Sequence, residues 1–286
     1  MSPMESAFWQ RVVAQGLQVP ADHPLPDLTA ELTRMLADPD PTIRDEIAFP
    51  VLATWVSEGV YDDLLPALGD GMCAGLTVGL GESGTTSIYR RSFSALVLTE
   101  CIDRDTEAGL VTADTVLRWG DHLTTWLLRE QDLRGFVPGQ GWAHAVAHGA
   151  DALGALARSG HLGKEELAVV LDVVADRLLN ATDTFFVAGE HDRLAFAVIH
   201  ALRRDLLGQE LLDPWVARLS ASAAPSGSVD RHPYLVAGNV QAFLRSLQLQ
   251  LALGVPQPAV RADLLLTLVG ALRATNRDFF VMPHKH

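Results

Sequence analysis

The stretch Arg44-Asp-Glu-Ile-Ala-Phe-Pro-Val-Leu-Ala-Thr-Trp-Val-Ser-Glu58 decides the fold most clearly. Its apolar residues recur at the spacing of one helix face, and the dipeptide Asp40-Pro41 just upstream is a typical helix start. Those apolar residues are Ile47, Val51, Leu52 and Trp55. The pattern predicts a helix over residues 44–58.

The same spacing recurs along the rest of the chain. It predicts further helices near residues 5–16, 28–37, 61–79, 86–104, 112–130, 141–158, 164–180, 189–207, 211–221, 236–253 and 258–273. The apolar stripe of each amphipathic helix needs a neighbour to cover it, and the short links between helices favour antiparallel hairpins. We therefore expect an all-α fold with little or no sheet. Its architecture would be a HEAT-like α-solenoid of stacked antiparallel helical hairpins, forming a single domain over residues 1–286.

The composition indicates which partners to exclude. The 22 Lys and Arg residues against 35 Asp and Glu residues give a formal charge of -13, which repels phosphate backbones and anionic lipid surfaces. We expect no nucleic acid and no membrane as partners. The two cysteines, Cys73 and Cys101, lie within apolar helical pattern, and no stretch has the features of a signal peptide or a membrane span. These features predict a cytoplasmic protein.

Two stretches resemble known sequence families. The first, Leu36–Leu52, resembles the opening of a HEAT-type repeat. The second is Arg134-Gly-Phe-Val-Pro-Gly-Gln-Gly-Trp-Ala-His-Ala-Val-Ala-His-Gly-Ala-Asp151, with Arg90–Leu96 upstream. Together these residues resemble an uncharacterised bacterial domain-of-unknown-function family that is predicted to be HEAT-like. The resemblance covers most of the chain and implies a fold, but it implies no activity.

The predicted helix over residues 141–158 carries two histidines and an aspartate on one side. His144, His148 and Asp151 are four and three residues apart, so on a helix they fall within one narrow arc. Two imidazoles and a carboxylate are a donor set for zinc, iron or manganese, and the spacing therefore suggests a divalent metal site. The alternative is a solvated face on which His148 and Asp151 form an ion pair.

The loop before this helix favours an anion instead of a metal. Gly135, Gly139 and Gly141 would leave backbone N–H groups accessible at the positive end of the helix, and Arg134 would add a bidentate donor. This arrangement predicts a site for a phosphate or a carboxylate. The alternative is a glycine-rich turn shaped for packing, in which Arg134 pairs with Asp132.

Polar side chains recur on alternate helices, which line one surface of a hairpin stack. A single groove that gathers acids, bases and cations is typical of a small-molecule site. The candidate catalytic residues are His144, His148, Asp151 and Glu190. The candidate substrate-binding residues are Arg90, Arg91, Arg134, Trp142, Arg193, His200 and Asn239. The alternative is that these are ordinary solvated helix faces.

Three functions fit these patterns. The first is a helical repeat protein that binds a small polar or anionic molecule. If this protein is an enzyme, it would act on the molecule through a metal or through general acid–base catalysis by the histidines. The second is a non-catalytic HEAT-like scaffold that binds a protein or peptide. The third is a structural role, in which Asp132, Arg134, His148 and Asp151 form a buried network.

Overall fold

The computed structural model describes residues 3–180, 184–224 and 232–276. Thirteen α-helices and one two-stranded hairpin account for most of this part of the chain, so the predicted all-α class is confirmed. The chain divides into two compact units, Met1–His161 (unit 1) and Leu162–His286 (unit 2). No helix of the described residues is both long enough and apolar enough to cross a bilayer.

Unit 1 contains eight of the described helices and the hairpin. The helices are α1 (Pro3–Ala14), α2 (Leu25–Met35), α3 (Pro41–Ile43), α4 (Phe49–Ser57), α5 (Leu65–Gly75), α6 (Ser87–Ala108), α7 (Ala113–Arg129) and α8 (Ala145–Arg158). The strands are β1 (Phe136–Val137) and β2 (Gly141–Trp142), which pair antiparallel with Phe136 opposite Trp142. This hairpin precedes α8 directly, so it determines where that helix begins.

The helix predicted over residues 44–58 is a π-helical turn over Arg44–Ala48 followed by α4, and α3 directly precedes it. Pro50 explains the wider turn, because proline has no N–H to donate to a carbonyl one turn back. The N–H of Phe49 instead reaches the carbonyl of Arg44, five residues earlier. π-helical turns are frequent at functional sites, and this one places Arg44 against the hairpin.

The helices α6 and α8 of unit 1 run parallel to each other. The side chain of Arg158 on α8 pairs with Asp103 on α6 (Nη2–Oδ2 2.7 Å), and His161 after α8 contacts Asp105 (Nε2–Oδ2 3.1 Å). The partners of these two contacts are 55 and 56 residues apart along the chain, and this nearly constant offset shows that α6 and α8 run in the same direction. The core beneath them is apolar and includes the fully buried Trp119.

Unit 2 contains α9 (Lys164–Leu179), α10 (Glu190–Leu202), α11 (Gln209–Ala221), α12 (Leu235–Leu253) and α13 (Arg261–Thr275). The helices α10 and α12 also run parallel, since Ser246 Oγ donates to Asp192 Oδ1 (2.6 Å) near one end and Arg203 donates to the carbonyl of Pro256 (3.0 Å) at the other. Buried apolar side chains fill the space between these helices, among them Leu194, Val198, Phe243 and Leu244.

Two predicted helices have clearly different bounds in the structure. The helix predicted over residues 141–158 begins only at Ala145, because Gly141 has a φ of +76° and Trp142 belongs to β2. The helix predicted over residues 189–207 ends at Leu202, and Asp205 beyond it has a φ of +53°. Left-handed backbone of this kind interrupts a right-handed helix.

Candidate functional site

The β1–β2 hairpin is fixed to the helices around it by the buried side chain of Arg44. The guanidinium donates to the carbonyls of Gln140 and Asp38 (both 2.8 Å) and to the carboxylate of Asp45 (Nε–Oδ1 2.7 Å), and it lies over the ring of Tyr89 at 4.0 Å. The hydroxyl of Tyr89 donates to the Gln140 side chain at 2.9 Å. The hairpin is therefore positioned by side chains from distant parts of unit 1.

His144 is the N-cap of α8 and has left-handed backbone, with φ +48° and ψ +33°. Its N–H donates to the Arg134 carbonyl (3.1 Å), and its own carbonyl accepts the first helical hydrogen bond, from His148 (2.9 Å). Its side chain makes no capping hydrogen bond to the helix. A residue with a Cβ in this conformation costs about 1–2 kcal/mol relative to ordinary backbone, and such strain concentrates at functional sites.

Four aromatic rings form a continuous row from the surface of unit 1 to its interior. Trp142 stacks on His144 (ring centroids 4.2 Å apart, planes 24° apart), and His144 meets His148 edge to face at 5.7 Å. His148 in turn meets Phe93 at 5.1 Å. Trp142 is 42% exposed, whereas His144 and His148 are buried. Trp142, His144 and His148 together are the His144 site.

His144 precedes α8 and has non-helical backbone, so it does not belong to a helical arc with His148 and Asp151, which lie three residues apart on α8. The imidazole of His148 contacts the carbonyl of Ser92 through Nδ1 (3.3 Å), and Asp151 is half-buried on the next turn of α8. Within residues 3–180, 184–224 and 232–276, no group of three or more His, Cys, Asp or Glu side chains is arranged to hold a metal ion. The donor set that the spacing suggests is therefore not among the arrangements found there.

Of the groups expected to hold an anion, Arg134 is engaged within the protein. Arg134 donates to Asp132 through Nε (2.8 Å) and Nη2 (2.6 Å), and also to the carbonyl of Thr85 (2.8 Å). The hydrogen bond to Asp132 raises the pKa of Arg134, and the nearby charge of Asp132 raises it further. In the loop, the N–H groups of Gln140 and Ala143 donate to backbone carbonyls. This geometry corresponds to the packing alternative for the loop.

Arg90 and Arg91 point in different directions from α6. Arg91 is fully buried and pairs with the buried Glu130 (Nε–Oε2 2.6 Å), while its Nη1 donates to the carbonyls of Val78 and Gly79 (2.9 Å). Arg90 donates to the carbonyl of Thr33 (2.7 Å), and its burial lowers its pKa. Both guanidiniums therefore hold segments of unit 1 together.

A carboxyl group that the sequence did not single out lies on the seam between α6 and α8. Burial raises the pKa of Glu100 to about 7, and the negative charges of Asp103 and Asp151 contribute to the rise, whereas Arg158 opposes it. Glu100 lies two helical turns beyond Ser92, whose carbonyl contacts His148. The seam beside the His144 site thus carries a carboxyl group that titrates near neutral pH.

The remaining candidate residues belong to unit 2. Glu190 is buried and accepts a hydrogen bond from the N–H of Ala188 (2.7 Å). The amide of Asn239 bonds to the backbone of Thr184 and Phe186, while His200 contacts the ring of Phe196 and Arg193 is half-buried. A single groove that joins these residues with the His144 site stays a prediction, because it would involve both units.

Several residues that build the site could not be found from local sequence. Arg44 and Gln140 are 96 residues apart, and Tyr89 and Gln140 are 51 residues apart. Gln140 belongs to the motif over residues 134–151 and Arg44 to the HEAT-like stretch, but no local signal connects the two stretches with each other or with Tyr89. The closely spaced glycines before Trp142 were the one signal of a tight structure here, and two of them, Gly139 and Gly141, have a φ of +76°.

Comparisons with known proteins identify a family for this chain but no activity. No curated protein and no solved structure matches the chain. A family model described as "Protein of unknown function (DUF2785)" matches residues 76–249, which is more than half of the chain. The chain therefore belongs to the DUF2785 family of proteins of unknown function.

Proposed function

We propose that this protein binds a small polar molecule at the His144 site of unit 1. The observation that carries the proposal is the left-handed backbone of His144, which holds the imidazole between His148 and the half-exposed ring of Trp142. Glycine would adopt this backbone without a steric cost. A histidine in place of glycine is explained if the strained backbone places the imidazole where it contacts a ligand.

The chemistry of the site favours a ligand with a planar polar group. The exposed face of Trp142 offers a stacking surface, and Phe136, which is 58% exposed, lies 5.0 Å from it. An imidazole exchanges protons near neutral pH, so His144 and His148 would act as general acid or base if the bound molecule is a substrate. Glu100, with its pKa raised to about 7 by burial, would be a second such group on the same seam.

We also infer that stacked helical hairpins form the framework of this site. The parallel pairs α6 and α8 in unit 1, and α10 and α12 in unit 2, support a HEAT-like arrangement within each unit. In such a stack, alternate helices present one surface for binding. The His144 site lies at the start of one of them, where a hairpin loop can shape it.

The proposal is tested by screening small metabolites for thermal stabilisation of the wild-type protein and of a Trp142→Ala variant. A ligand at about 100 times its dissociation constant stabilises its protein by about 2.7 kcal/mol. We expect stabilising compounds whose effect is lost in Trp142→Ala and kept in Tyr234→Ala, a control at a 53% exposed aromatic residue of unit 2. The proposal fails if no compound stabilises the wild type, or if Trp142→Ala binds as tightly.

A further inference from the structure

An open, largely apolar groove lies between α10 and α12 of unit 2. Its volume is about 540 Å³, within the range of about 300–1,000 Å³ typical of small-molecule sites. The lining residues on α10 are Asp192, Arg193, Phe196 and Ile199, with Arg203 directly after the helix. Those on α12 are Leu249, Gln250 and Leu253, followed by Gly254.

The apolar side chains of the groove are unusually accessible. Phe196 is 47% exposed, Leu249 is 58% exposed and Leu253 is 73% exposed, and all three belong to the same groove. Single exposed apolar residues are normal on a protein surface, whereas a contiguous cluster that lines a groove indicates a binding surface. The groove therefore has the walls that an apolar ligand group requires.

Hydrogen bonds fix both ends of the groove. At one end, Ser246 Oγ donates to Asp192 Oδ1 (2.6 Å) and Gln250 Nε2 donates to the Asp192 carbonyl (2.8 Å). At the other end, Arg203 donates to the carbonyls of Val255 and Pro256 (both 3.0 Å). The distance between α10 and α12 is thus set by contacts outside the apolar walls, and the groove does not depend on a ligand to keep its shape.

The two ends differ in charge. Asp192 accompanies Arg193 at the first end, so the formal charges there cancel. At the other end Arg203 bonds to neutral carbonyls, and within the described part of the chain no carboxylate forms an ion pair with it. Gly254 lies beside this guanidinium, since a Cβ built there would be 3.6 Å from Arg203 Nη2. Among the residues that line the groove, Arg203 is the charged one at this end, so the lining there has a net positive charge.

We propose that this groove binds a medium-chain aliphatic carboxylate. The alkyl chain lies along Phe196, Leu249 and Leu253, and the carboxylate accepts hydrogen bonds from Arg203. The positions of Arg193 and Arg203, ten residues apart, give the groove a length of about 15 Å along α10, which suits an extended chain. A charge-assisted hydrogen bond between guanidinium and carboxylate supplies the specificity, and burial of the alkyl chain supplies the affinity. This site is independent of the His144 site.

The test is a calorimetric titration of the full chain with decanoate at pH 8, beside decanol and decyltrimethylammonium, which have the same alkyl chain and a neutral or cationic head. We expect decanoate to bind and the cation not to bind. Leu253→Gln should weaken decanoate binding by about tenfold, since it removes an apolar wall. Leu266→Gln is the matched control, because Leu266 is also 73% exposed but lies on α13, outside the groove.

A second variant tests the role of the charge. Arg203→Gln should weaken decanoate by about tenfold or more and leave decanol unaffected. Equal affinity of the wild type for decanoate and decanol, no binding of decanoate, or equal effects of Leu253→Gln and Leu266→Gln would each overturn the proposal. Binding of an amphipathic peptide in this groove with no decanoate binding would also overturn it and assign the groove to a protein partner. His144→Ala should leave decanoate binding unchanged, which separates this inference from the proposed function.

Discussion

The guanidinium of Arg91 and the carboxylate of Glu130 form an ion pair that is completely shielded from water in unit 1. Trp126 also donates to Glu130 (Nε1–Oε2 2.9 Å), and Arg91 holds the carbonyls of Val78 and Gly79. Arg91→Ala would leave the Glu130 charge buried without its cation, so we expect the free energy of unfolding to fall by about 3–5 kcal/mol. Denaturation in urea measures this change.

The matched control for Arg91 is Arg118→Ala. Arg118 pairs with Asp70 (Nη2–Oδ1 3.1 Å), but both side chains are about half exposed to solvent. An exposed pair contributes at most about 1 kcal/mol, because water solvates each charge when the other is removed. Similar losses in the two variants would contradict the structural role assigned to Arg91.

The raised pKa of Glu100 makes the free energy of unfolding depend on pH. Burial raises its pKa from 4.5 to about 7 in the folded protein, so between these values the folded state keeps a proton that the unfolded state releases. The free energy of unfolding contributed by this group therefore falls as pH rises from 4.5 to 7. Glu100→Gln removes that contribution. Urea midpoints of both proteins at about pH 5 and about pH 7.5 test it, and an unchanged pH dependence in the variant would refute the assignment.

At the scale of elements, the hairpin depends on a close approach at Gly141. A Cβ on this residue would lie 3.0 Å from Arg44 Nη2 and 3.0 Å from Pro41 Cβ, and its φ is +76°. Gly139 has the same φ, but a Cβ there would meet nothing within 4 Å. Gly139→Ala therefore measures the backbone cost alone, and Gly141→Ala adds the cost of the contact.

We expect Gly139→Ala to lower the free energy of unfolding by about 1 kcal/mol and Gly141→Ala by about 1–2 kcal/mol more. Chemical denaturation measures both values. If the two variants lose the same stability, the contact between Gly141 and the Arg44 side chain is not the reason for the glycine.

The helices could be predicted from the sequence because their signals are local. Apolar residues at helical spacing identified elements such as α9, predicted over residues 164–180 and observed over Lys164–Leu179. The π-helical turn at Arg44 and the late start of α8 were not predicted, nor was the hydrogen bond between Arg44 and Gln140 that joins these two regions, because its partners are 96 residues apart. The periodicity of a single segment contains no information about such a contact.

At the scale of the whole molecule, the sequence predicted the region of the candidate site but not all of its contacts. The motif around His144 and His148 indicated the right region, and the structure brings both imidazoles together with Trp142. The sequence offered the pairing of Arg134 with Asp132 as one of two alternatives, but it did not reveal that Arg91 is engaged by Glu130, because a buried arginine and a ligand-binding arginine have the same local pattern. Helical spacing places Leu249 and Leu253 opposite the buried Leu247 and Leu251 of α12, but it does not show that Phe196 of α10 lies with them in one groove.

We propose that the strained backbone of His144 holds its imidazole in place for a ligand. The most direct test is the free energy of unfolding of His144→Gly beside His144→Ala, together with the binding of a ligand identified with the wild type. Both variants remove the imidazole, but only glycine relieves the left-handed strain at a φ of +48°. We predict that His144→Gly is about 1 kcal/mol more stable than His144→Ala and that neither variant binds the ligand. Equal stability of the two variants, or full binding by either, would contradict the claim.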